Sequence, residues 1–488
     1  MLCKIRTILA AVVFVLITLL FLDFTGTLHC WLGWLAKIQF LPAVMALNVI
    51  VVVALVVLTL VFGRIYCSVI CPLGIFQDLL ARLHRKKNKY SYSEEKKWLR
   101  YPVLALFVLA GATGIGSLFQ LLAPYSAYGR IATMIFQPIW KGCNNLLAMA
   151  AEHMDSYAFY SIDTWMRSLP VLVIAVVTLV VLFILAWQGG RTYCNTICPV
   201  GTILSFFARF SWLKIHFDVD KCKNCSLCSK NCKAACIDFK THTVDYSRCV
   251  ACGNCIDSCK FGALKYSGQA SRTSSPSPVD TSKRSFLLAS AMLATGAMAQ
   301  KKEKLMDGGL AEIEDKVAPE RQTPLTPPGS LSFQNLSTHC TGCQLCVSEC
   351  PNQVLRPSGD LMHLMQPTMS YEHGYCRPEC TRCSEVCPAG AIKLIDKPEK
   401  TSIQIGHAVW IKKNCVVLTD EVECGNCARH CPSGAIVMVP SDPKNEESPK
   451  VPAVNEAACI GCGACEYVCP SRPFSAIYVE GHEVHRKI

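Results

Sequence analysis

Cysteine is the residue whose spacing carries chemistry in this chain. Four groups repeat C-x2-C-x2-C-x3-C: Cys222, Cys225, Cys228 and Cys232; Cys249, Cys252, Cys255 and Cys259; Cys340, Cys343, Cys346 and Cys350; and Cys459, Cys462, Cys465 and Cys469. Two variants lie between the last two groups, at Cys376, Cys380, Cys383 and Cys387, and at Cys415, Cys424, Cys427 and Cys431. Three thiolates two residues apart wrap one corner of a 4Fe-4S cubane, while the fourth reaches a neighbouring cluster. That division of labour explains the even number of groups. Structural zinc more often shows two C-x2-C pairs with a longer gap and histidine among the ligands, so the spacing predicts six 4Fe-4S clusters. By the two-cluster rule, Cys222, Cys225 and Cys228 share one cubane with Cys259, and Cys249, Cys252 and Cys255 share the other with Cys232. Lys233 and Lys260 stand where proline is usual after the fourth cysteine, a change to the turn that removes no ligand. Cys236 is a spare thiol, read as packing rather than as a ligand.

A second pattern follows two apolar segments. Cys67-x3-Cys71-Pro72-Leu73-Gly74 and Cys194-x3-Cys198-Pro199-Val200-Gly201 are each preceded by an arginine and a tyrosine, Arg64 with Tyr66 and Arg191 with Tyr193. Together Cys67, Cys71, Cys194 and Cys198 supply four thiolates, enough for a seventh, shared 4Fe-4S cluster at the membrane face. A thiol redox pair and plain packing are the alternatives; the duplication at symmetric positions argues against packing.

The elements that must position these cysteines are of two kinds. Ile8–Phe24, Leu41–Phe62, Val103–Ala123 and Leu169–Trp187 are each near the 20 apolar residues or so that cross a bilayer. Arg64–Arg100 carries nine Lys and Arg, whereas Asp23–Phe40 carries only Lys37, and Pro124–Ser168 only Arg130, Lys141 and Arg167. The positive-inside rule then puts the N-terminus and the segment after the fourth span in the cytoplasm. The expected fold is an all-α four-helix transmembrane domain, residues 1–215, joined to α+β ferredoxin-like 4Fe-4S modules. One is a dicluster module at 216–266. A Ser/Pro/Thr-rich linker follows at 267–330, and a four-cluster module at 331–488. Short strands such as Ala391–Ile395 and Ala476–Val479 are expected after the quartets.

Composition agrees with this division. Of 488 residues, 51% are hydrophobic and 17% charged, too apolar for a disordered or purely soluble chain. With 32 cysteines spread over that length, the chain is not a small disulfide scaffold. The net charge of +12 belongs to the membrane flanks and gives no case for a nucleic-acid partner. Within the linker, Ser282-Lys283-Arg284-Ser285-Phe286-Leu287-Leu288 and the apolar run to Ala299 resemble a twin-arginine export signal, with Ala297-Met298-Ala299 as a cleavage site. Cubanes assemble in the reducing cytoplasm, so a domain that holds four must fold before export; residues 331–488 are then periplasmic. Cys30 and Cys143, outside any metal motif, fall in outer loops, open either to a disulfide or to remaining free thiols.

The paired C-x3-C-P-x-G motifs, four spans and dicluster module resemble the membrane quinol dehydrogenase subunit of periplasmic nitrate reductase systems, the NapH type, over residues 1–266. Cys340–His482, with its Cys415-x8-Cys424 variant, resembles the periplasmic polyferredoxin partner, the NapG type. The resemblance implies a fusion of the two in a bacterial inner membrane. It also implies electron flow from the quinone pool through the clusters to a periplasmic reductase or cytochrome. A transmembrane relay from a cytoplasmic electron donor, without a quinol site, is the rival function; a redox assembly factor for another metalloenzyme is a third. A quinol site needs polar groups at the edge of the lipid. Asp23, His29, Gln39 and Arg130 are the candidates, with Tyr125, Ser126 and Tyr128 beside the last.

Overall fold

The computed structural model describes residues 2–83, 90–156, 158–268 and 314–488. The export-signal motif at 282–299 lies outside them. Two helices, Leu2–Leu22 and Leu169–Gly189, are long and apolar enough to cross a membrane. The other two apolar runs are broken. Instead of one helix over Leu41–Phe62, Phe40–Met45 stops at Ala46 and Leu47 turns with a φ of 52°. Asn48 then caps Val49–Phe62 by accepting the Val51 N–H at 3.3 Å. Instead of one helix over Val103–Ala123, Gly114 takes a left-handed φ of 76° between Lys97–Thr113 and Gly116–Leu122. The second break costs little, since a left-handed glycine at a helix end has no Cβ to clash.

The second and fourth apolar helices end alike. Gly63 and Gly190 turn with φ of 71° and 64°. Short helices at Tyr66–Val69 and Thr192–Thr196 follow, then helices opened by proline, Pro72–Leu83 and Pro199–Ala208. These repeated hairpins pack with Leu2–Leu22 around a core that includes Ile17, Leu20, Phe21, Leu73, Phe76, Val200 and Leu204.

The cysteine-rich parts are α+β, as expected. Lys214–Phe217 pairs antiparallel with Leu264–Ser267, and Ile237–Asp238 with Thr243–Val244. In the C-terminal module, Ile403–Trp410 pairs with Ile477–Lys487, Ile436–Asp442 with Asn445–Val454, and Leu355–Pro357 with Pro367–Met369. Ile477–Val479 is strand, but Ala391–Ile395 is not: it is a loop that buries Ala391, Ile392 and Ile395 and whose Lys393 N–H reaches the Gly329 carbonyl at 2.9 Å. Residues 316–330, counted as linker by composition, lie on this module. Lys316 donates to the carbonyls of Glu466, Tyr467 and Cys469 at 2.6–3.1 Å, and Arg321 pairs with Glu466 at 2.6 Å.

The two modules touch opposite ends of Leu2–Leu22. At one end, Cys3 meets Asn254 of the dicluster module at 3.3 Å. At the other, Gln137 bridges the Phe21 carbonyl and the Ser348 carbonyl of the C-terminal module, each at 3.2 Å. The helix ends thus carry both docking faces.

Candidate redox centres

The structure gathers the cysteines by fours, and in crossed fashion. Cys222, Cys225 and Cys228 line one cavity with Cys259, and Cys249, Cys252 and Cys255 face Cys232. In the C-terminal module, Cys340, Cys343 and Cys346 surround a cavity with Cys387, and Cys376, Cys380 and Cys383 with Cys350. Cys415, Cys424 and Cys427 do so with Cys469, and Cys459, Cys462 and Cys465 face Cys431. Each set takes its fourth thiol from the neighbouring motif. Among the described residues no three His, Cys, Asp or Glu side chains close on a single ion position. The thiols stand around cavities instead, the arrangement that a polynuclear cluster requires. Backbone N–H groups already point at several of them: Ala263 to Cys259 at 3.3 Å, Gly342 to Cys340 at 3.4 Å and Ala476 to Cys469 at 3.2 Å. Such bonds lower the electron density on the sulfur and favour the reduced cluster.

Cys236 is buried beside one of these sets. Its sulfur lies 3.5 Å from Cys232 and also reaches Cys249. Packing is therefore its surrounding, but the packing is against two thiols assigned to one cluster.

Cys67, Cys71, Cys194 and Cys198 are all buried and face one another. The two hairpins hold each other by an exchange of arginines. Arg64, ahead of the first motif, donates to the Cys194 carbonyl at 3.0 Å; Arg191, ahead of the second, donates to the Cys67 carbonyl. Gly74 and Gly201 make room for this crossing, because a Cβ at either would collide with the Cys67 or Cys194 carbonyl and with the same guanidinium. Gln77 donates to the Cys194 sulfur at 3.2 Å, and the Gly201 N–H to the Cys198 sulfur at 3.4 Å. Each motif's arginine thus reaches the other motif's backbone, and each motif's glycine leaves room for the arginine that arrives.

Asp78 ties this centre to the dicluster module. Its carboxylate meets Arg191 at 2.8 Å, Arg6 at 3.4 Å and Lys233 at 3.4 Å, all buried. Burial alone would raise its pKa, but Arg191, Lys233 and Arg6 together hold it well below the usual carboxylate range. Lys233 is thus a docking residue, and its departure from proline was the only mark of it in the sequence. Asp78 itself gave no signal. Arg64 and Arg100 extend the same face, reaching the Ser247 carbonyl at 3.1 and 3.3 Å.

The four quinol candidates do not converge. Asp23 is spent on the turn after Leu2–Leu22, accepting from the N–H groups of Thr25, Gly26 and Leu28 at 2.8–3.0 Å. Arg130 is fully buried and caps the Gln120 and Leu121 carbonyls at 2.9 and 3.2 Å. Gln39 bonds Tyr66 at 3.1 Å and the Leu35 carbonyl at 3.1 Å. His29 is half-buried near Lys37 and Glu385; burial, then Lys37, lowers its pKa. Of their neighbours, Ser126 donates to the Thr341 carbonyl and Tyr128 bonds Thr18, while the Tyr125 hydroxyl is without a partner. Cys30 and Cys143 are free and exposed.

Comparison with known proteins agrees with this assembly. A 4Fe-4S binding domain family model matches residues 44–90 and 168–219, the two C-x3-C-P hairpins. Models described as 4Fe-4S dicluster domains match residues 339–408 and 422–472, and residues 245–354. The ferredoxin-type protein NapH of Haemophilus influenzae is 25% identical over 46% of this chain and 69% of its own length. The putative electron transport protein YccM of Escherichia coli is 24% identical over 45% of this chain and 55% of its own length. The ferredoxin-type protein NapF of Escherichia coli is 29% identical over 32% of this chain and 87% of its own length. No solved structure matches. With thiols gathered by fours and these relatives, the chain is a NapH-like, ferredoxin-type 4Fe-4S electron-transport protein.

Proposed function

We propose that this protein is an inner-membrane quinol dehydrogenase component that delivers quinol electrons to a periplasmic reductase or cytochrome. In this reading the four apolar regions are four spans, the thiol sets carry six cubanes, and Cys67, Cys71, Cys194 and Cys198 hold a seventh. Bound cubanes supply one-electron carriers; the protein's part is to hold their thiols, screen them from water and set their surroundings.

The observation that carries the reading is the seat of the C-terminal module on the membrane domain. Gln120 donates to the Cys340 carbonyl at 3.0 Å, and Arg167 to the Val347 carbonyl at 2.8 Å. Gly129 lies so close to the Cys343 carbonyl that a Cβ would not fit. The first C-terminal thiol set is therefore in direct contact with the domain that meets lipid, where a quinol is dissolved. Apolar side chains bare to the surroundings, including Val12, Ile50, Val53, Leu109, Val173 and Ile184, mark that lipid contact.

The relay reading has its own support: the dicluster module is locked to the other end of the same domain through Asp78 and Lys233. Rapid mixing of the purified holoprotein with a menaquinol or ubiquinol analogue separates the two. Bleaching of the cluster absorption under quinol is expected. Clusters that stay oxidised under quinol, yet reduce with a low-potential soluble donor, would leave the relay.

A further inference from the structure

Between the membrane domain and the C-terminal module lies a cavity of about 240 Å3. Its walls come from Gln137–Glu152, the residues just before that helix, the start of Leu169–Gly189, and the loop 163–167. That loop is fixed in place. Asn145 exchanges two hydrogen bonds with Ile162 at 2.8 and 2.9 Å, Gln353 donates to the Asp163 carbonyl at 3.1 Å, and the Trp165 ring stacks on His373 at 4.2 Å.

Polar groups point into this space with nothing on the protein to satisfy them. The Thr133 hydroxyl and the Trp165 indole N–H are buried and have no hydrogen-bond partner. Buried donors are almost always paired, so two orphans on one cavity ask for a ligand with acceptor oxygens. Lys141 and Arg167 are 6% and 9% exposed, and neither forms an ion pair among the described residues. Both also face Cys350, so part of their charge balances that thiol. That balance leaves Thr133 and Trp165 unexplained.

The remaining walls are apolar, with Met134 and Leu172 among them. Met166 of the lining, and Ile139, Trp140 and Leu169, which lie close to lining residues in the chain, are each 47–62% exposed, apolar surface of the kind that meets lipid. A ligand that fits is flat, lipid-soluble and oxygen-bearing. The cavity is below the roughly 300–1,000 Å3 of sites that enclose a whole drug-sized molecule, which suits one ring whose tail stays in the bilayer.

We propose that this cavity binds the headgroup of a membrane quinol or quinone, with Thr133, Trp165, Lys141 and Arg167 as donors to its ring oxygens. The assignment rests on the quinol reading above and replaces Asp23, His29, Gln39 and Arg130, none of which lines the cavity. A phospholipid headgroup shares the cations but does not need the apolar slot, and the test separates the two.

Detergent-solubilised holoprotein is illuminated with a photoreactive azidoquinone, and the labelled peptides are mapped by mass spectrometry. Label is expected within residues 133–141 and 163–172, chased by a short-chain quinone and not by phosphatidylglycerol. It should fall about tenfold, the loss of a single buried contact, in Thr133→Val and in Lys141→Met. Iron content and cluster absorption check that each variant is folded; if one is not, mapping of the unaltered protein decides alone. Label on the Gln39–Tyr66 region, undiminished label in both folded variants, or equal competition by phosphatidylglycerol overturns the assignment. Quinol reduction of the clusters, followed in the same preparation, keeps the two ideas apart. Reduction with label elsewhere sinks the cavity and spares the quinol reading, whereas neither reduction nor label sinks both.

Discussion

Replacing Asp78 with asparagine removes one negative charge and keeps the shape, leaving Arg6, Arg191 and Lys233 buried together without a counter-charge. Each comes from a different part of the chain: the first helix, the second C-x3-C-P hairpin and the dicluster module. Breaking a buried ion pair from one side costs about 3–5 kcal/mol, because the surviving charge has lost its partner. The cost here falls on docking. The Arg191 N–H bonds the Lys233 carbonyl at 2.9 Å, and the Tyr90 and Ser93 N–H groups bond the Lys230 and Ala235 carbonyls at 3.3 Å. Those amides exchange with solvent only when the module lifts away. At 1.4 kcal/mol per factor of ten, their exchange in Asp78→Asn should quicken by roughly 100-fold to several thousand-fold. Amides of the Ile403–Trp410 strand, in the C-terminal module, should not change. Lys233→Met in the same background should add little, since the pair is already broken. Hydrogen exchange read by mass spectrometry makes the comparison. If exchange at 90, 93 and 191 stays within about tenfold of the parent, the carboxylate is not what holds the module. Because the folded carboxyl sits below its ordinary value of about 3.9, this contribution is complete above that pH and is lost as acid protonates it.

The other predictions use different readouts. Serine at any one of Cys67, Cys71, Cys194 or Cys198 should remove about four irons per chain and leave the six other clusters; unchanged iron across all four variants would refute a shared cubane. Cys236→Ala should keep the full iron content, since Cys232 is already at hand; loss of a cluster would make Cys236 a ligand. Burial, with His482 adding to it, pulls His485 down to about 4, while its ring bonds the Thr326 hydroxyl at 2.8 Å. Its contribution, up to about 3 kcal/mol, is therefore complete above the ordinary value of about 6.5 and lost between there and 4. His485→Gln should flatten the acid-side fall of the melting temperature over that window, and an unaltered fall would exclude this histidine. Protease added to intact spheroplasts should digest the C-terminal module and spare Cys222–Cys259; survival of both until lysis would put all six quartets in the cytoplasm.

The thiol sets were legible because their geometry is local: a cubane corner needs three thiolates spaced by two residues, and the fourth follows by exchange between neighbouring motifs. The helix breaks were harder for a physical reason. One polar residue hardly lowers the mean hydropathy of an apolar run, so the turn at Leu47 was marked only by the capping Asn48, as Gly111, Gly114 and Gly116 marked the second break. Ala391–Ile395 is apolar and short enough for a strand, but without a partner strand it packs as loop. The polar residues chosen at the lipid edge were absorbed by nearby backbone. Asp23 and Arg130 satisfy turn N–H groups and helix-end carbonyls that no hydropathy plot displays. Thr133, Lys141, Trp165 and Arg167 escaped notice because they converge only once the loop 163–167 folds back on the start of Gln137–Glu152.

The exchange of arginines explains why the membrane motif is duplicated. A single C-x3-C-P hairpin presents two thiols, and its own arginine reaches across to the other hairpin's carbonyl, Arg64 while also meeting the Cys67 sulfur of its own motif at 3.8 Å. Glycine at 74 and 201 is needed where its own hairpin's carbonyl, of Cys67 or Cys194, and the incoming guanidinium close on the same space. Neither hairpin is complete alone: each lacks two thiols, an arginine and the surface against which its glycine is cut. Joining them places four thiols and two guanidinium groups in one buried site. The two guanidinium groups offset part of the cost that burial sets on a deprotonated sulfur there. The same geometry makes Arg191 serve twice, on the Cys67 carbonyl and on Asp78, so the thiol site and the seat of the dicluster module share one side chain. A change in either is felt by the other through contact rather than over a distance. The sequence repeat is thus a folding requirement of the site as much as a source of thiols.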